Sequence, residues 1–432
     1  MGSARVPLET VSGLRGTYPE SMNVEYAFAV GCRFAGFLGG RRVAVGMDPR
    51  ESSVVLKKAA VSGLLYGGSA VVDMGVVTTP EIFRHVRREG LAGGVMITAS
   101  HNPKEWNGLK LIREGRGLFE DELGRVKLEA CRYGARPELE KDDSRAYYSE
   151  ILGLAGRGSA AGLKIAVDAG GGSACVRVPK LFNDMGAEVI VVNGTMGVFT
   201  RGIDPTQDAL EQLRAVMKVS GCDVGFAFDC DGDRLQVVDR EGRKMPPDFA
   251  LMAAVETLPK GSGVAVSVDT SDAVLEAASS RGVSVFLAPV GEANVLKVML
   301  EKDCALGGEG SSAGVIDRSF NHCRDGLLAA AHMVRRRGGL DIGWLAGHHQ
   351  IRTKVEMERG QALAAIEEMK RSHGDAVTLD GVKVREGEGW WLVRPSRTED
   401  VVRISVEARS MEGAEELLRT VEERLLGRVH RQ

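Results

Sequence analysis

The sequence predicts an α/β protein of three similar α/β/α domains with mixed sheets, followed by a small α+β domain. Three observations carry that expectation. The chain has 432 residues, more than one hydrophobic core organises, and ordinary domain sizes divide it into about three or four parts. Three segments begin alike, each a short β-branched run ending in aspartate before a polar or glycine-rich turn and a helical pattern. They are Val43-Ala44-Val45-Gly46-Met47-Asp48, Lys164-Ile165-Ala166-Val167-Asp168 and Val264-Ala265-Val266-Ser267-Val268-Asp269. Short apolar runs alternating with helices read as buried strands of parallel or mixed sheets, and their spacing of roughly 100 to 120 residues is one domain length. The tail from about Arg352 differs. It has a helical stretch at 362–370, alternating strands at 389–393 and 401–406, and a closing helix at 411–426, which fits a small α+β unit.

Gly-rich or polar breaks near Arg157-Gly158-Ser159, between Asp239 and Lys244 and at Gly338-Gly339 mark the seams. The expected domains are 1–150, 151–243, 244–350 and 351–432.

Composition narrows the function. Hydrophobic residues make up 44% and charged residues 27%, ordinary values for a soluble globular chain. Acidic and basic residues nearly cancel, 59 against 56, and no basic block interleaves with aromatics, so nucleic acid is not an expected partner. The seven cysteines (32, 131, 175, 222, 230, 304 and 323) are scattered and form no CxxC pair, which argues against a disulfide framework or zinc site and for a reducing compartment. No apolar run is long enough to span a bilayer and no signal-peptide pattern opens the chain, so a cytoplasmic protein is expected.

Two short segments carry chemistry. Val95-Met96-Ile97-Thr98 reads as a buried strand and Asn102-Pro103 forces a turn beyond it, which places Ser100 exposed at the carboxyl end of the strand, where ligands bind open α/β sheets. The residues alone allow a turn serine or a nucleophile with His101 as base; sequence neighbours usually point apart, which weakens the second. The other segment, Phe228-Asp229-Cys230-Asp231-Gly232-Asp233-Arg234, follows an apolar run and sets three carboxylates at alternate positions, a pattern suited to a hard cation such as Mg²⁺. An EF-hand is excluded, because strand pattern resumes at Leu235. Gly170-Gly171-Gly172 lacks the dinucleotide spacing and reads as a tight turn. His348-His349 reads as an exposed linker pair, and Trp390-Trp391 as one ring in the core and one at a cleft edge.

Thr98-Ala99-Ser100-His101-Asn102-Pro103, with Asn107-Gly108-Leu109-Lys110 after it, resembles the phosphoserine loop of the α-D-phosphohexomutase superfamily, and Asp229 to Arg234 resembles its metal loop. Ser12-Gly13-Leu14-Arg15-Gly16 and Asp48-Pro49-Arg50-Glu51-Ser52-Ser53 match its N-terminal signatures. Gly307-Gly308-Glu309 resembles the start of its sugar loop, and Arg394-Pro395-Ser396-Arg397-Thr398-Glu399 its C-terminal phosphate loop.

The resemblance implies four domains around a central cleft and a hexose phosphate mutase acting on glucosamine, mannose or glucose phosphates. Ser100 would carry the phosphate. One Mg²⁺ would sit on Ser100, Asp229, Asp231 and Asp233, a hexose 1,6-bisphosphate would serve as intermediate and activator, and the enzyme would be a monomer or homodimer. Arg15, Lys110 and His101 would act in the transfer, Lys110 ahead of His101 moving the proton of the attacking hydroxyl. Substrate would be held by Arg234, Glu309, Ser311, Arg394, Ser396, Arg397 and Thr398. A phosphohydrolase with Asp229 as nucleophile and a non-catalytic sugar-phosphate binder are the competing readings.

The match has gaps. Glu309-Gly310-Ser311-Ser312-Ala313-Gly314 offers no imidazole where many members have histidine after Glu-x-Ser-Gly. Arg397 and Asp400 replace a usual glycine and proline, and Glu9-Thr10-Val11 stands for a usual Phe-Gly-Thr. These changes bear on which sugar is preferred.

Overall fold

The computed structural model describes residues 7–134, 138–142, 146–336, 347–396 and 400–429. Three times the chain builds the same four-stranded motif. In the first domain Val71–Val76, Val43–Met47 and Gly93–Ile97 lie parallel, in that order, and Trp106–Arg113 closes antiparallel against Gly93–Ile97. In the second, Glu188–Val192, Lys164–Asp168 and Val224–Phe228 are followed by antiparallel Leu235–Val238. In the third, Ser284–Ala288, Gly263–Ser267 and Leu306–Glu309 are followed by antiparallel Gly314–Asp317. The three Asp-ended runs of the sequence are the first strand of each motif, so the repeat in sequence is a repeat in topology.

The first sheet is extended beyond this motif by Gly13–Thr17 and Leu8–Thr10 on one side and Leu139–Lys141 on the other. The central strands are apolar throughout because helices cover both faces; all residues of Gly93–Ile97 and of Val224–Phe228 are buried. Apolar packing continues from the second domain into the third through the helices Phe249–Val255 and Gly326–Arg335.

The fourth sheet is wholly antiparallel, in the order His349–Glu356, Val401–Ala408, Gly389–Pro395, Val382–Glu386. The helices Arg359–Ser372 and Met411–Val429 pack on one face. Both lie where 3.6-residue periodicity placed them. Alternation in Gly389–Pro395 sends Trp391 into that core, while Trp390 and Leu392 face the other way and pack on Val268 of the third domain.

Several expectations are overturned here. Neither tryptophan stands at an exposed cleft edge; both rings are fully buried, Trp390 at the contact between the third and fourth domains. His348 is buried, its ring between Glu407 and Glu276, and His349 opens a strand. Cys32 and Cys131 form a disulfide across 99 residues, joining the helix Val24–Phe37 to the segment beyond the helix Glu120–Leu128. Spacing along the chain carries no signal for such a pair, because the fold alone brings the two helices side by side. Among the described residues no helix is long and apolar enough to cross a membrane.

Candidate active site

The repeated topology gives three equivalent loops, each between the third parallel strand and the antiparallel strand after it. They hold Ser100, the aspartates 229, 231 and 233, and the segment following Glu309. The three loops meet. Ser100 Oγ donates to Asp229 Oδ2 at 3.0 Å, across 129 residues, and Arg324 joins Asp233 at 2.9 Å to Glu309 at 3.2 Å.

Ser100 is not exposed, contrary to the expectation from its place after a strand. It is fully buried, because the metal loop of the second domain closes over it. Its φ of 54° lies in the left-handed region, where a non-glycine residue is strained and must be held by its surroundings. The clamp is visible. Arg50 Nη2 donates to the carbonyls of Ser100 (2.8 Å) and Asn102 (2.6 Å), and Arg50 Nη1 pairs with Asp48. Thr98 Oγ1 donates to Asp48 Oδ2 at 2.6 Å and accepts the Ser100 N–H at 2.8 Å. Asp48 and Arg50, read from the sequence as family signature without a role, thus fix the serine loop.

Asp229, Asp231 and Asp233 are all buried, and one oxygen of each lies within 4.8 Å of the others. Burial and then the charges of Asp231 and Asp233 push the Asp229 carboxyl well above its usual range. Burial opposes ionisation of Asp233 too, but Arg324, Lys110 and Arg234 outweigh it and hold that carboxyl low. Asp231 Oδ1 and Asp233 Oδ1 are buried and accept no hydrogen bond among the described residues. Three carboxylates in one tight loop, with two orphaned oxygens, fit a hard divalent cation such as Mg²⁺. The loop leans on the first domain, where Thr79 Oγ1 donates to Asp231 Oδ2 and Thr79 N–H to its carbonyl at 2.8 Å.

The expected cations gather here. Lys110 Nζ lies 2.6 Å from Asp231 and 2.8 Å from Asp233; burial opposes its charge, but the two aspartates outweigh it and raise its pKa. Arg15 donates to Asn102 Oδ1 at 2.8 Å, and burial pulls its pKa down to about 10. Arg234 pairs with Asp204 at 2.9 Å and donates to His101 Nδ1 at 2.8 Å. Burial, then Arg234, holds His101 neutral, and the Arg234 bond assigns its proton to Nε2. The Ser100 hydroxyl donates to Asp229 and the His101 ring is turned to Arg234, so no serine–histidine pair forms.

On the sugar side, Glu309 is buried and Ser311 hydrogen bonds Asp269. Burial opposes the charge of Asp269, but Arg352 and then Arg394 outweigh it and hold its carboxyl below its usual range, which links the fourth domain to this loop. Ser396 is buried, its N–H donating to the Val401 carbonyl at 2.9 Å. Arg397 and Thr398 lie outside the described residues.

Comparison with known proteins decides what this assembly is. Models of the phosphoglucomutase/phosphomannomutase α/β/α domains I, II and III match residues 8–129, 146–242 and 248–337, and that of its C-terminal domain matches 353–424. The chain belongs to the phosphoglucomutase/phosphomannomutase family. A probable phosphoglucosamine mutase of Methanopyrus kandleri is 35% identical, with 94% of this chain and 95% of that one covered. A phosphoglucomutase/phosphomannomutase of Thermococcus kodakarensis is 33% identical over 94% of this chain and 95% of its own. Among solved structures, a phosphoglucomutase/phosphomannomutase family protein from Burkholderia thailandensis superposes with a TM-score of 0.86 at 25% identity, covering 96% of each chain.

Membership in the phosphoglucomutase/phosphomannomutase family makes the protein a phosphohexomutase, an isomerase that moves a phosphoryl group within a hexose phosphate. The sequence expectation missed one residue of this buried cluster. Arg324, in the turn before the helix Gly326–Arg335, is 8% exposed and pairs with both the metal loop and the sugar loop. Its neighbours Cys323 and Asp325 form no recognisable pattern, so nothing local marks it.

Proposed function

We propose that the protein interconverts hexose 1-phosphates and hexose 6-phosphates through a phosphate carried on Ser100, with the 2-amino sugar glucosamine as first substrate. The observation that carries this reading is Ser100 Oγ at 3.0 Å from Asp229, inside a buried cluster of three carboxylates and the cations Arg15, Lys110 and Arg234.

Phosphoryl transfer asks a protein mainly to position the groups and neutralise charge. The strained Ser100 backbone, held by Arg50 and Thr98, fixes Oγ before substrate arrives. Asp229, Asp231, Asp233 and phosphorylated Ser100 would hold one Mg²⁺, which when bound neutralises charge on the phosphoryl oxygens. Arg15 and Arg234, in the same buried cluster, would add positive charge there. In the forward half-reaction a sugar hydroxyl attacks the phosphorus, its O–P bond forms as the Oγ–P bond breaks, the hydroxyl proton passes to the protein, and Ser100 Oγ, leaving as the alkoxide, takes up a proton to regain its hydroxyl. Asp231 and Asp233 keep Lys110 charged, so it would take the sugar hydroxyl's proton only once a bound cation draws those carboxylates away from it. The resulting 1,6-bisphosphate turns over, and its other phosphate returns to Ser100, so a free bisphosphate acts as activator.

Glu309 and Ser311 receive the sugar hydroxyls, and Arg394, Ser396, Arg397 and Thr398 hold the phosphate that is not reacting. Glu309 and Glu292 set two carboxylates beside the sugar loop around the single guanidinium of Arg324. Glucosamine is placed first in keeping with the phosphoglucosamine mutase name of the Methanopyrus kandleri relative. The same reading places the enzyme in the cytoplasm, with soluble sugar phosphates.

The test is a panel of glucosamine, mannose and glucose 1-phosphates with Mg²⁺ and the matching 1,6-bisphosphate. Conversion to 6-phosphates, fastest for glucosamine, is expected. Release of inorganic phosphate without isomerisation would select the phosphohydrolase reading, and binding without turnover the non-catalytic one.

A further inference from the structure

The sugar loop lacks an imidazole, yet a buried cation stands on it. Arg324 reaches the loop from the turn before the helix Gly326–Arg335, not from the loop itself. Its Nη1 lies 3.2 Å from Glu309 Oε2 and 3.1 Å from Ser312 Oγ, and its Nη2 lies 2.9 Å from Asp233 Oδ2. Behind, its Nε lies 3.0 Å from Glu292 Oε2, and its backbone N–H donates to that oxygen at the same distance. The loop is shaped for this stem. A Cβ at Gly314 would stand 2.1 Å from Arg324 Cδ and 2.7 Å from its Cγ, so the side chain lies where any larger residue would sit.

We propose that Arg324 is the positioning residue of the sugar site: its planar fork orients the Glu309 carboxylate toward the sugar hydroxyls with one nitrogen, and ties that orientation to the metal loop through Asp233 with the other. The inference rests on the phosphohexomutase reading and deepens it, because it names the group that orients the carboxylate of this sugar loop. A guanidinium serves two loops where an ammonium serves one, since its donors are held in a rigid plane. The hexose then meets a carboxylate already aimed, and its recognition is set by a residue that need not touch it.

The geometry separates positioning from plain structural support. Arg324 also neutralises Asp233, so its removal takes a positive charge away from the place where a dication binds. A support residue would weaken metal and sugar binding together. A positioning residue acting through Glu309 weakens sugar binding alone.

The experiment compares wild type with Arg324→Met, Arg324→Lys and Gly314→Ala. It reads kcat and KM for the hexose 1-phosphate that wild type converts best, and Mn²⁺ affinity by calorimetry without sugar. Arg324→Met is expected to raise KM about tenfold or more, the size expected when a charge-assisted bond is lost, with Mn²⁺ bound as tightly as in wild type or more tightly. Arg324→Lys restores part of the KM. Gly314→Ala keeps the charge but pushes the stem off the loop, and raises KM in the same direction; it decides the matter if Arg324→Met does not fold. A KM within twofold of wild type in Gly314→Ala and in folded Arg324→Met, or Mn²⁺ affinity falling in step with sugar affinity, overturns the proposal. Absence of mutase turnover in wild type is a separate result, which overturns the functional reading itself.

Discussion

The Ser100 loop and the sugar loop occupy the same place in the same topology, yet they are held differently. Around Ser100 the clamp is local: Asp48, Arg50 and Thr98 belong to the loop's own domain and are buried, with Arg50 on two backbone carbonyls. Even the Cys230 thiol of the metal loop turns to Asp48, at 3.4 Å. The sugar loop takes its contacts from several directions. Thr270 Oγ1 accepts the Gly310 N–H at 3.3 Å, Ser311 bonds Asp269, and Arg324 ties Glu309 to the second domain's Asp233, while Arg352 and Arg394 of the fourth domain approach through Asp248 and Asp269. The backbone of the transfer loop is set by its own domain before substrate arrives, and the recognition loop is held by three.

If that contrast is right, damage to the transfer side lowers kcat and damage to the recognition side raises KM. The largest effect is expected from Asp231→Asn, which removes a carboxylate from the cation site: kcat falls by about 10³-fold or more, and calorimetry shows Mg²⁺ binding lost. Arg50→Met comes next. It strips the Ser100 and Asn102 carbonyls of their donor and leaves Asp48 buried without its ion pair, a loss of about 3–5 kcal/mol in the first domain, read by denaturant unfolding, with kcat falling and KM little changed. An Arg50→Met enzyme with wild-type kcat would break the comparison. Ser311→Ala is expected to raise KM severalfold with kcat held, since it removes one hydroxyl bonded to a charged partner.

The smallest effect concerns the seam that brings the fourth domain to the third. Glu407 accepts from the Asp272 N–H at 2.9 Å and the Trp390 Nε1–H at 3.1 Å, and its Oε1 lies 3.3 Å from His348 Nδ1. Burial opposes its charge, but hydrogen bonds from His348, Ser271 and the Asp272 N–H outweigh it and pull Glu407 down to about 2. Its contribution is therefore full above the ordinary glutamate pKa of about 4.3 and lost as pH falls toward 2. The bond to Glu407 raises His348 above its ordinary value of about 6.5, so that contribution is full below about 6.5 and lost as pH rises through the folded pKa. The contact is firmest between those limits. Glu407→Gln should cost about 1–3 kcal/mol and flatten the pH dependence of thermal unfolding on both sides; an unchanged profile would show that the seam does not depend on this pair.

Much of this was legible in the sequence because it is local. A β-branched run ending in aspartate is a strand and its turn wherever the rest of the chain goes, so three such runs disclose three domains. Asn102-Pro103 discloses a turn at Ser100, and alternate aspartates in seven residues disclose a tight cluster of carboxylates. What was hidden depends on partners far along the chain. Burial of Ser100 needs Asp229, 129 residues away, and the Cys32–Cys131 bond spans 99. His348 looks like a linker residue until Glu407 and Glu276 close on it. Arg324 is an ordinary arginine before a helix until the second and third domains bring Asp233 and Glu309 to its two ends.

The central claim is that Ser100 carries the phosphate, and intact-mass measurement of the purified protein with phosphopeptide mapping tests it most directly. The account predicts one phosphate, on Ser100, removed by incubation with excess hexose monophosphate and absent from an inactive but folded Ser100→Ala. A phosphate on another residue, or an active Ser100→Ala enzyme, would contradict it.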